Sequence, residues 1–162
     1  MPGIARSVVA LRIFGDSVIP DEVSALIGCL PTRSYRKGQV QHGSRKEYVR
    51  KTGMWLLQVD DREPEDLNAQ VAELLARLTP DLTMWEHLSQ QYELDLFCGL
   101  FMDESNEGIA LSVPTLVALA ARSIEIDFDV YAPSCEIQLS EPCPCGSGKT
   151  YGECCASNQP EA

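Results

Sequence analysis

The sequence predicts an α+β fold: a mainly antiparallel sheet with helices packed on one face, followed by a small cysteine-rich knuckle at the C-terminus. Three observations lead there. Two long segments alternate strictly between apolar and polar residues, the pattern of strands with one buried face. Helical segments fall between strands in an irregular order, each opened by proline, serine or aspartate. Four of the seven cysteines crowd into residues 143–155, beyond the last periodic element.

Val8–Phe14 is apolar and rich in β-branched residues, and reads as the first strand. Gly15 and Asp16 turn it. Pro20, with Asp21 and Glu22 behind it, opens a short helix carrying Val23, Leu26 and Ile27, and Gly28 closes it. Residues 34–53 are polar and punctuated by glycine, which predicts a strand and long loop or a ragged hairpin. Met54–Val59 reads as a central strand. In Pro64–Thr79, Leu67, Val71, Leu74, Leu75 and Leu78 recur at helical spacing, and Pro80 ends the helix. Asp81 is placed to cap a second helix with Leu82, Trp85 and Leu88 on one side. Leu94, Leu96, Cys98, Leu100 and Met102 then share one strand face. A turn, a short strand Ile109–Leu111 and a helix opened by Ser112–Pro114, with Leu116 and Leu119 inward, lead to the last strand, where Ile124, Ile126, Phe128 and Val130 share a face. The strand, turn and proline-led helix at 8–28 recurs at 108–122, hinting at an internal duplication.

These boundaries divide the chain into a domain over 1–131, a linker over 132–141, a knuckle over 142–156 and a tail over 157–162. With 162 residues, 44% hydrophobic and 23% charged, the composition is globular and the main domain is large enough to bury its own core. No apolar run is long enough to span a membrane. Arg6, Arg12 and Asp16 interrupt the N-terminal segment, unlike a secretory leader, so the expected location is cytoplasmic. In a reducing compartment, clustered cysteines point to metal or redox chemistry.

The net charge is −11, unevenly spread. Between Arg33 and Lys51, seven cations face only Glu47, a local charge of +6 on a remainder of −17. So acidic a body argues against wrapping nucleic acid broadly. The local patch, Arg33, Arg36, Lys37, Arg45 and Lys46, remains a candidate surface for an anionic partner, against the plainer reading of a hairpin paired with the acidic body.

Pro142–Cys155 reads PCPCGSGKTYGECC. Its GSGKT resembles the end of a phosphate-binding loop, which requires G-x-x-x-x-G-K-[ST]. The first glycine would fall at Cys143, and no apolar strand feeds the loop, so no nucleotide is expected there. Cys143, Cys145, Cys154 and Cys155 instead offer four thiolates, matching the closed tetrahedral shell of one structural zinc ion. Gly146, Ser147 and Gly148 supply the chain reversal, and Lys149 offsets part of the thiolate charge. A vicinal disulfide at Cys154–Cys155, a CxC redox pair and a disordered tail are the alternatives. A segment this short buries no core, so metal binding is expected to supply its folding energy.

This cysteine spacing, with the GSGK turn and Tyr151, resembles the SEC-C motif, the zinc-binding tail of the preprotein translocase motor SecA that also ends many bacterial proteins. The resemblance implies zinc held by three cysteines and a fourth ligand, here Cys155, and docking on a chaperone or the ribosome. Thr150, Gly152 and Glu153 stand where that family usually carries lysines, which weakens a basic docking surface. Across Val8–Tyr131, the stretches PTRSYRKG, TGMW, LDLFCGLF and IDFDVYA resemble a bacterial domain family of unknown function, which implies an α+β domain and no particular activity.

The remaining residues name no catalytic site. His42 and His87 are the only histidines, and neither has a partner visible in sequence. Cys98 lies on an apolar strand face, where a free cysteine acts as a small hydrophobe. Glu93, Asp95, Glu125, Asp127 and Asp129 fall on polar strand faces and oppose one another if the strands are neighbours. The expected function is non-catalytic binding or adaptation: a zinc-containing protein docking a protein or ribonucleoprotein partner. The competing class is an enzyme with its site in a cleft of the main domain.

Overall fold

A computed structural model describes residues 3–42, 47–133, 140, 142, 143, 145–150, 153 and 154. The chain forms two compact units, Met1–Ala132 and Pro133–Ala162.

The first unit is built on β1 (Arg6–Gly15), whose Ser7, Val9, Leu11 and Ile13 lie fully buried on one face. Its antiparallel neighbours are β5 (Gly53–Gln58) and β6 (Glu93–Phe101). Register places Leu57 and Leu96 beside Leu11, and Trp55 and Leu94 beside Ile13. Onto this face pack four helices: α1 (Pro20–Ile27), α2 (Leu67–Ala76), α3 (Leu82–Gln91) and α4 (Val113–Ala120). Val23, Ile27, Leu67, Val71, Leu74, Trp85, Leu88 and Leu119 join the strand residues in one core. Gly28 ends α1 in the left-handed region at φ 75°, and Asp66 and Asp81 cap α2 and α3 by accepting from the Ala69 and Thr83 N–H groups. The short β2 (Arg33–Tyr35) pairs with β5, while β3 (Val40–His42) and β4 (Glu47–Val49) form a separate two-stranded ribbon. The five-stranded order, β2-β5-β1-β6-β7, in which β7 is the last strand at Glu125–Tyr131, makes β1 central, with β5 beside it.

The sheet is mainly antiparallel, as the sequence predicts, with one parallel pair: β7 (Glu125–Tyr131) runs alongside β6 (Asp95 beside Glu125 through Phe101 beside Tyr131). The cause is α4, which carries the chain back along the sheet as a crossover between two parallel strands. Ile109–Leu111 forms no strand. Gly108 makes an isolated bridge with Gly3, and the Asn68 side chain binds the Ala110 carbonyl and the Ser112 N–H, so a side chain replaces the ladder. The second copy of the supposed duplication therefore lacks its strand. Leu82 and Leu116 face solvent, unlike Trp85, Leu88 and Leu119.

Among the described residues no helix packs on the sheet's other face. Arg12 ties it together, donating to both carboxylate oxygens of Asp95 at 2.6 Å and to Asp127 at 2.9 Å while lying 4.8 Å from the Phe97 ring centre. The Asp95 hydrogen bonds, chiefly, hold the Arg12 pKa above its usual value. Arg6 stacks on Phe101, which stacks in turn on Tyr131 at 4.5 Å. The acidic rows of β6 and β7 are thus neighbours, as their sequence pattern allowed, and Arg12 from β1 relieves their repulsion.

A buried polar pair joins β1 to α2. The Ser7 hydroxyl donates to Gln70 Oε1, and Gln70 Nε2 donates to the Ser7 and Asp60 carbonyls, with both side chains fully buried. Gln70→Leu should cost about 1–3 kcal/mol by orphaning the Ser7 hydroxyl. Adding Ser7→Ala should recover part of that loss, and urea midpoints of the single and double variants would check it.

Candidate metal centre

The C-terminal unit reverses direction at Gly146 (φ 77°) and Gly148 (φ 74°), conformations that side chains with a Cβ rarely adopt. The two arms are held by a bridge between Pro142 and Thr150 and by the Cys143 N–H donating to the Lys149 carbonyl at 2.9 Å. Gly146 N–H donates back to the Cys143 carbonyl, and the Thr150 hydroxyl to Glu153. This small hairpin brings together Cys143, Cys145 and Cys154, whose sulfurs all lie within 4.8 Å of one another. Cys145 and Cys154 are 3.5 Å apart, and the Ser147 hydroxyl lies 3.3 Å from the Cys154 sulfur. Hydrogen bonds, first from the Ser147 side chain and then from Cys143, pull the Cys145 thiol down to about 6, so that it is largely thiolate at neutral pH.

Thiolates on a single tetrahedral ion at about 2.3 Å stand roughly 3.8 Å from one another. The three sulfurs are therefore grouped as a shared ion requires, and Cys143, 6% exposed, shields one side. Cys155, the fourth expected ligand, lies outside the described residues, as does Tyr151.

The other candidates are scattered. In the basic stretch, Lys37 pairs with Asp16, and Arg36 lies 3.5 Å from Asp21, so two of the cations meet the acidic body beside α1. Arg33 is exposed on β2, and Arg45 and Lys46 fall outside the described residues. Arg50, not singled out from sequence, stacks between Tyr35 and Tyr48, a juxtaposition that only the β3–β4 ribbon creates. His42 pairs with Glu47 at 2.8 Å on an exposed part of that ribbon. His87 shares a groove of about 330 Å³ with Asp81, but it faces Gln91, while Asp81 caps α3. Cys98 is fully buried, and burial, with Asp127 and Asp95 adding to it, pushes its thiol up to about 12, so it is an inert core residue. Among the described residues no helix is long and apolar enough to cross a membrane.

Residues 140–157 match the SEC-C motif, which places all three clustered cysteines inside a known cysteine-rich element. No curated protein and no solved structure matches the chain. Residues 5–133, most of its length and the whole of the five-stranded sheet, match the family described as a domain of unknown function (DUF4279), and the chain belongs to that family.

Proposed function

We propose that this is a cytoplasmic, non-catalytic adaptor: a main domain over 1–131 that docks a protein or ribonucleoprotein partner, a linker over 132–141, and a knuckle over 142–156 that holds one structural zinc. Cys143, Cys145 and Cys154 would bind the ion with Cys155 as fourth ligand. Zinc so enclosed supplies folding energy and no open coordination position for chemistry. The single observation that supports this most is the convergence of three thiols within 4.8 Å on a hairpin too short to bury a core.

The test has two arms. Elemental analysis of the reduced, purified protein should give one zinc per chain, and a value well under one sinks the zinc reading. Truncation after Ala132 should leave a domain with a sharp thermal transition, because the core lies within residues 9–124. Loss of that transition would mean the knuckle is part of the core and not a separate module.

A further inference from the structure

We infer that the outer edge of β7 accepts an added strand from a partner, an extended peptide segment in which basic and apolar residues alternate. The inference rests on the adaptor reading and gives it a surface. It starts from the backbone. β7 closes the strand order, so one of its edges faces away from the sheet. The Met102 N–H donates to the Tyr131 carbonyl at 2.9 Å, which turns the backbone groups of Tyr131 toward β6. In a parallel ladder, residues alternate between bonding inward and outward. Glu125, Asp127 and Asp129 therefore bond toward β6, and Ile126, Phe128 and Val130 turn their N–H and C=O groups to the free edge. Among the described residues no backbone bond reaches those three.

Exposed edges are ordinarily blunted by proline, by charged side chains or by a bulge. β7 has neither proline nor bulge, and its register with β6 is unbroken; the charges in its sequence EIDFDVY are all carboxylates, which discourage an acidic strand and leave a basic one free to pair. Its two faces also differ. On the helix side, Phe128 is 43% and Val130 55% exposed. On the other side stand Glu125, Asp127 and Asp129, all exposed. Arg12 neutralises part of this row at Asp127 and the Tyr131 hydroxyl donates to Asp129, while Glu125 has no ion pair among the described residues.

Charge selects the occupant. A second copy pairing through β7 would set acidic rows side by side, Asp127 against Asp129 in the antiparallel register centred on Phe128, and like charges directly opposite destabilise a ladder. A strand with lysine or arginine at every second position would place cations beside the same carboxylates and apolar side chains beside Phe128 and Val130. Backbone bonds would supply affinity and the alternating side chains the specificity.

The experiment uses the full zinc-loaded chain and blocked seven-residue synthetic peptides. A labelled peptide alternating lysine and valine should bind, as read by fluorescence anisotropy. A glutamate–valine peptide should bind at least tenfold more weakly, and added salt should weaken the lysine peptide. Binding should slow hydrogen exchange at the Ile126, Phe128 and Val130 amides. N-methylation of all peptide nitrogens should abolish binding, since charge and side chains remain but ladder donors are gone. In the protein, Glu125→Lys with Asp129→Lys should lower affinity at least tenfold while leaving the thermal transition in place. Equal binding of the N-methylated peptide, equal binding of the glutamate peptide, or protection confined to other amides would overturn the inference. So would a dimer in sedimentation whose β7 amides are already protected, because a second copy would then be the occupant. None of these results alters zinc content or the truncated domain's transition, so this inference and the adaptor reading fail separately.

Discussion

Cys143→Ser is expected to lower zinc affinity by more than a hundredfold while leaving the main domain's thermal transition where it was. Cys143 is the buried sulfur of the cluster, and its own N–H closes the hairpin on the Lys149 carbonyl. A serine hydroxyl is a hard and mostly protonated ligand, so one of the four proposed soft donors is lost. Structural zinc sites in short peptides bind with about 10–16 kcal/mol, so removing one thiolate of four takes roughly 3 kcal/mol. Cobalt substitution followed by zinc competition would measure it, through the thiolate charge-transfer band. An unchanged affinity would mean that Cys143 is not a ligand. A lowered transition of the main domain would mean that the two units fold together.

Trp55→Ala should destabilise the main domain by about 3–5 kcal/mol and lower its melting temperature by roughly 10–15 °C. Trp55 is fully buried on β5, beside Ile13 of β1 and Ser34 of β2, and its Nε1 donates to the Ser24 hydroxyl of α1 at 3.0 Å. Truncation opens a cavity where α1 meets the sheet and removes that hydroxyl's donor. Trp55→Phe keeps much of the volume and should cost clearly less, because Ser24 still donates to the Pro20 carbonyl. Urea unfolding followed by circular dichroism would check both. A cost under 1 kcal/mol for the alanine variant would show that the site collapses without penalty.

The strands that can be read from sequence are those with one side against helices. β1, β5 and β6 declare themselves through apolar residues at alternate positions, Val9, Leu11 and Ile13, then Trp55 and Leu57, then Leu94, Leu96, Cys98 and Leu100. The grouping of Cys143, Cys145 and Cys154 was legible for a different reason: cysteines have few uses at such spacing, and glycines at 146 and 148 mark the positive φ that a tight reversal requires. β7 shows where pattern stops short. Its alternation identifies a strand, yet period two is the same for parallel and antiparallel neighbours, and Phe128 and Val130 look like core residues although the edge leaves them in solvent. The Ser7–Gln70 pair was invisible because a glutamine beside Val71 reads as a helix's polar side, and its partner lies 63 positions away. Arg12 was likewise read as an interruption in an apolar segment, when the ladder places it between two carboxylates. Local propensity cannot encode such long-range pairings.

The central position of β1 also dictates the order in which the molecule can be born. Arg6 lies beside Phe101, so β1 gains its second neighbour only when residues 93–101 have followed it out of the ribosome. At roughly 5–20 residues per second, an apolar strand containing Val8, Val9, Leu11 and Ile13 waits about 5–20 s with at most one flank covered. β7 is added later still, as the last strand. For this chain, β1 is the stretch of nascent polypeptide most in need of shelter during synthesis.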